Sequence, residues 1–286
     1  MNLFKSTTVM AGLLLTAAMG LSFDAHGQGA QKAPWPVFSP TVKGGWVPDR
    51  PTGDDFLPPA SGPGPVMSDP AHPYVPNGGG RQPTYRVADL SNPILQDWLK
   101  PSMKKANDDV LAGKVPYITR ERCWPAGVPG FAVYTRGGQP SLFLQTENKV
   151  TIINELNTQV RHIYLNVPHS KNPKPSWYGE SVGHYEGDEL VVDTIGLNAR
   201  TFVDNYRTPH TEKIHVVERF KLIEDGKILQ DTITVEDPGA FTTKWSAVQR
   251  WRHTDRELEE SSCAENNYEF FNYDVVPIPQ ASKPDF

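Results

Sequence analysis

Two histidines, two carboxylates and an arginine fall within Pro209–Phe220, where a turn feeds an apolar strand pattern. Alternation places His215, Val217 and Arg219 on one face of that strand, opposite Ile214, Val216, Glu218 and Phe220, and neither face is wholly apolar. If a cavity lies on the His215 side, His215 exchanges a proton near neutral pH while Arg219 holds a carboxylate or phenolate, which suits decarboxylation, elimination or isomerisation of a small acid. The competing reading has His215 bonded to a neighbouring backbone and Arg219 paired with a cross-strand carboxylate. His210 and Glu212 sit at the mouth of the strand as an acid and base pair, or as a solvated turn. With His215 they could ligate zinc or iron, but His210 and His215 are five apart and point to opposite faces of a straight strand, so no metal is expected. Asp193, alternating with Val191 and Ile195, is a second candidate acid or base, or a salt-bridge partner of Arg161 or Arg250. Trp177, Tyr178 and Tyr206 in loop-like segments, with Tyr164, offer rings on which an aromatic ligand could stack.

Other chemistries find little support. Gly137-Gly138 and Gly78-Gly79-Gly80 lack the strand and helix of a phosphate loop, and Ser181 stands in no nucleophile elbow. No cofactor is expected.

The elements that must position these residues are mostly strands. Period-two patterning predicts strands at Leu142–Glu147, Val150–Glu155, Val160–Asn166, Ser181–Glu186, Glu189–Ile195, Lys213–Ile223, Ile228–Glu236, Lys244–Arg252 and Glu257–Cys263. Gly187-Asp188 and Asp225-Gly226 suit hairpin loops. Asn92-Pro93 predicts a helix start with Ile94, Leu95, Trp98 and Leu99 on one face; Pro101 should break it, and a second helix, Ser102–Leu111, should end at Gly113. Mostly hairpin connections imply a mainly β fold: an antiparallel up-and-down barrel of about eight or nine strands, which removes exposed edges, with a β-sandwich as the alternative.

The first residues read as a secretory signal, with Lys5 before an apolar run from Val9 to Phe23 and small residues around Ala25-His26-Gly27. That run is too short for the roughly 20 residues a spanning helix needs, so residues 1–27 are expected to be removed and the product to be periplasmic or secreted, with no membrane span. Residues 28–88 are rich in proline and glycine and predict an arm or linker, with Trp35, Trp46, Phe56 and Tyr74 as docking points; residues 89–286 form the barrel domain. A net charge of −5 without a basic stripe argues against a nucleic-acid partner and leaves a small molecule. Cys123 and Cys263 form a disulfide in an oxidising compartment, or stay as two buried thiols.

With the strands placed, the chain resembles a large uncharacterised family of exported bacterial proteins. The resemblance rests on Cys123-Trp124-Pro125-Ala126-Gly127-Val128-Pro129, Arg161-His162-Ile163-Tyr164-Leu165, Trp177, the run from Ser181 to Thr194, the His-Thr-Glu block at His210, Thr234-Val235-Glu236-Asp237-Pro238 and Cys263-Ala264-Glu265-Asn266. It departs at His184-Tyr185, where the family more often carries a basic residue and Trp. It implies a calycin-like or allene-oxide-cyclase-like barrel and an exported location, with no assigned activity. Such barrels include carriers as well as cofactor-independent cyclases and lyases. The expectation is a cofactor-independent lyase or isomerase on a small, aromatic acid. A non-catalytic binding protein and a metal-dependent hydrolase are the alternatives.

Overall fold

The structure is a computed structural model and describes residues 35–39, 44–49, 54–74, 85–114, 116, 119, 123–133, 139–156 and 159–261. The leader and Cys263, and with it the expected bridge to Cys123, lie outside these residues.

Among the described residues nine strands follow one another around a closed barrel: β1 (Gly45–Pro48), β2 (Ser141–Gln145), β3 (Lys149–Asn154), β4 (Gln159–Leu165), β5 (Glu180–Glu186), β6 (Glu189–Ile195), β7 (His215–Ile223), β8 (Ile228–Glu236) and β9 (Trp245–Thr254). Closure by β9 onto β1 excludes the β-sandwich and gives every long strand two neighbours. The expected all-antiparallel order fails for a reason of parity. A ring with an odd number of strands cannot alternate direction throughout, so one pair must run parallel. That pair is β4 with β5, joined by the crossover 166–179 that returns the chain to the end it came from.

The ninth strand also differs from expectation. Glu257–Ser261 is irregular and β1 closes the ring instead, although it lies in the proline- and glycine-rich stretch. Four residues are too few to show a period. What fixes β1 is Trp46, nearly fully buried, whose indole Nε1 donates to the Phe38 carbonyl at 3.0 Å. Gly44 precedes it with φ 77°, and a Cβ there would meet the Thr254 carbonyl oxygen at 2.2 Å, so only glycine lets the chain approach β9 this closely. Phe56 is buried against Trp245, and Tyr74 lies under the Arg86 guanidinium at 3.9 Å.

The helical segment forms later than predicted. Asn92 closes a turn, its Oδ1 accepting from the Ile94 amide, and α1 (Lys100–Leu111) follows a short 3-10 turn, Asp97–Leu99. Pro101 starts α1 rather than breaking it, because the first-turn amides have no intrahelical acceptor to lose. Gly113, at φ 77°, ends it as expected.

Alternation sorts inside from outside. In β7 Val216, Glu218 and Phe220 are buried while His215, Val217 and Arg219 are only half-covered. The barrel interior is therefore the Glu218 face. It holds Phe143, Phe220 and Trp251 in ring contact, with Phe220 centroid distances of 5.5 Å to Phe143 and 6.3 Å to Trp251. A polar belt runs beside them: Arg161, Ser181, Thr194, Glu218, Asp231 and Gln249, all buried.

Candidate functional site

Three adjacent strands and the crossover bring a chain of ionisable groups together on the outer surface. The Asp193 and His215 strands pair as β6 and β7, and Glu180 begins β5 opposite Ile195. His215 Nε2 donates to Asp193 Oδ2 at 2.8 Å. The other carboxylate oxygen, Oδ1, lies 2.8 Å from His169 Nε2, and His169 Nδ1 lies 3.0 Å from Glu180 Oε1. Glu180 is fixed in turn by the Ser170 backbone amide at 2.6 Å. The result is a continuous Glu180–His169–Asp193–His215 array.

Hydrogen bonding shifts both members of the Asp193–His215 pair. The hydrogen bond from His215 holds the Asp193 carboxyl below the usual carboxylate range, despite partial burial. The same bond raises the His215 imidazole above its ordinary value, with the Glu236 carboxylate opposite it adding to the effect. His215 Nδ1 has no partner among the described residues, and its side chain is 37% exposed, so this nitrogen is free to take or give a proton.

The remaining predicted residues are not all gathered here. Arg219 shares the His215 face but lies four residues along the strand, roughly 14 Å at ~3.4 Å per residue. Its guanidinium is held by Glu186 at 2.8 Å and Glu189 at 3.0 Å, so the cross-strand ion pair replaces the expected anion site. His210 is buried, with Nε2 on the Thr201 hydroxyl at 2.8 Å and Nδ1 on the Thr211 carbonyl at 3.0 Å; burial lowers its pKa. It closes the loop before β7 together with Asp237, which accepts from the Thr211 amide and hydroxyl. Glu212 is exposed and shares neither contact. The trio His210, Glu212 and His215 thus does not converge, and among the described residues no group of three or more His, Cys, Asp or Glu side chains is arranged to hold a metal ion.

The rings are scattered too. The Tyr178 hydroxyl turns to Gln159 and burial pushes its pKa up; Tyr206 is buried with its hydroxyl 3.0 Å from Ser68 Oγ, and burial pushes it up to about 12. Tyr164 is exposed on β4, beside His162. Trp177 alone of the four lines a surface hollow, of about 470 Å³, with Pro175, Ser176, Asn198, Arg200 and Glu212. The hollow lies at the end of the barrel where β6 finishes and β7 and β5 begin, the same end that carries the array.

No family model, curated protein or solved structure matches the chain. The chemistry of the site is therefore read from its geometry.

Sequence reasoning finds His215 and Asp193 but misses His169 and Glu180. His169 stands in an aperiodic crossover, and only the parallel pairing of β4 with β5 folds that crossover over β6. Asp193 faces outward and does not meet Arg161. The β6–β7 register sets it opposite Val217, while Arg161 pairs with Glu218.

Proposed function

We propose that this protein is an exported, cofactor-independent enzyme that moves a proton on a small acid, as a lyase or isomerase, with His215 as the acid or base. The observation that carries the reading is the His215–Asp193 pair with its free Nδ1. A carboxylate on one imidazole nitrogen orients the ring and stabilises the imidazolium formed when the other nitrogen accepts a proton. His169, braced by Glu180, fixes Asp193 from the far side and acts as a positioning residue. Substrate would approach the array from the adjacent hollow, with Trp177 as its apolar wall. Every proton in this scheme has a side chain to carry it, so the scheme calls for no cofactor. The N-terminal secretory pattern and the resemblance to exported barrel proteins support the location.

The hollow equally favours a second reading, a periplasmic binding protein without turnover. Mass-spectrometric turnover of small acids by the wild type and by His215→Ala separates the two. A wild-type product that falls about 10²- to 10⁴-fold in a folded His215→Ala variant establishes the acid/base role. Turnover undiminished in that variant removes His215 from the mechanism, and ligands bound but recovered unchanged make the protein a carrier.

A further inference from the structure

The hollow at the array's end of the barrel is framed before any ligand arrives. Ser176 bridges Leu197, with the Ser176 amide donating to Gly196 O at 3.0 Å and the Asn198 amide donating to Ser176 O at 2.9 Å, so the crossover and the loop after β6 form one frame. Trp177 is braced by Trp124, their ring centroids 5.2 Å apart at 47°. Two opposite charges line the same space. Neither the Arg200 guanidinium nor the Glu212 carboxylate makes a hydrogen bond or ion pair among the described residues, with each other or with anything else. Arg200 is tied down through its backbone instead, its amide donating to Asn198 Oδ1 at 3.0 Å.

An unpaired cation and an unpaired anion in one concavity select against singly charged ligands. An acid drawn to Arg200 is repelled by Glu212, and an amine drawn to Glu212 is repelled by Arg200; a molecule carrying both charges is attracted at both ends. The volume of about 470 Å³ falls within the ~300–1,000 Å³ range of small-molecule sites, and the Trp177 indole offers a face to a ring. We infer that the hollow binds a small zwitterion, an aromatic α-amino acid, with its carboxylate on Arg200, its ammonium on Glu212 and its side chain against Trp177. The binding preference stands without the proton-transfer reading and rests on it only for the fate of the bound molecule: the acid on which His215 acts would then be an amino acid.

Calorimetric titration of the protein with phenylalanine, 3-phenylpropionate and phenethylamine tests the inference. Phenylalanine should bind at least about tenfold more tightly than either singly charged probe. Arg200→Met should abolish its advantage over phenethylamine, and Glu212→Gln its advantage over 3-phenylpropionate. Equal binding of all three probes, no binding of phenylalanine, or discrimination that survives both substitutions overturns it. The two proposals fail separately. A hollow blind to charge leaves the role of His215 standing, and turnover that survives His215→Ala leaves the binding preference standing.

Discussion

The barrel wall carries two charge networks on opposite faces of the same strands. Inside, Arg161 holds Glu218 through both carboxylate oxygens, and Ser181 and Thr194 take up further guanidinium hydrogen bonds. Outside, one residue from Thr194 on β6 and three from Glu218 on β7, Asp193 meets His215 and His169. The inner pair is 0% and 1% exposed; the outer pair is 37% and 38% exposed. Burial turns similar chemistry to different ends. The inner charges have left water and depend on each other and on the hydroxyls beside them, so they act as structure. The outer ones keep water as an alternative partner, so they are free to change protonation state.

Removing one inner partner should produce the largest effect. Glu218→Gln leaves the Arg161 charge buried without its counter-ion and should cost about 3–5 kcal/mol, read as a lowered denaturation midpoint with an unchanged slope. Arg161→Met combined with Glu218→Leu removes both charges together and should be less destabilising than the sum of the two single changes. Strict additivity would mean that the two groups do not depend on each other and would dissolve the contrast between the faces.

Asp231 sharpens the inner half of the comparison. It is fully buried, and among the described residues its oxygens have no hydrogen-bond partner of ordinary geometry, with the Arg219 backbone amide facing them. Burial first, and then the nearby Glu218 charge, raise its pKa well above the ordinary carboxyl value. A carboxyl whose folded pKa is raised contributes stability fully present below its unfolded value, near ~3.9, and lost as pH climbs through the folded value. Asp231→Asn cannot ionise. Its stability relative to wild type should therefore grow as pH rises above about 4, as measured by urea unfolding at several pH values. A gap that stays constant or shrinks over that range would show that Asp231 is already ionised in the folded protein.

How far each network is legible in the sequence depends on whether its cause is local. The bounds of β6 and β8 agree with those read from sequence, because Gly187-Asp188, Asp225-Gly226 and Pro238 punctuate them directly. Gly187, at φ 63°, makes the two-residue hairpin loop between β5 and β6. The alternation of β7 is also readable, but not which face is inside: Glu218 and Arg219 put charge on both, and the partner that lets Glu218 go inside, Arg161, is 57 residues away. His169 is hidden for a related reason, since its place is set by the crossover that the odd strand number requires. β1 is hidden because four residues among prolines carry no period.

The smallest effect belongs to the outer network and is a matter of pH. The raised His215 pKa means that its part of the pairing is fully present below about 6.5 and lost as pH rises through the folded value. The lowered Asp193 pKa means that its part is present above about 3.9 and lost as pH falls through the folded value. The pair therefore stabilises most between these limits, and at this exposure by no more than about 1 kcal/mol, or about 2–4 °C in Tm for a domain of this size. Asp193→Asn should lower Tm within that window and converge with wild type at more alkaline pH. The same substitution removes the charge that favours imidazolium, so the limb of any kcat/KM profile that belongs to His215 should move down toward about 6.5. A limb that stays in place while Tm falls would leave Asp193 a structural partner only, and would put the outer network in the same class as the inner one.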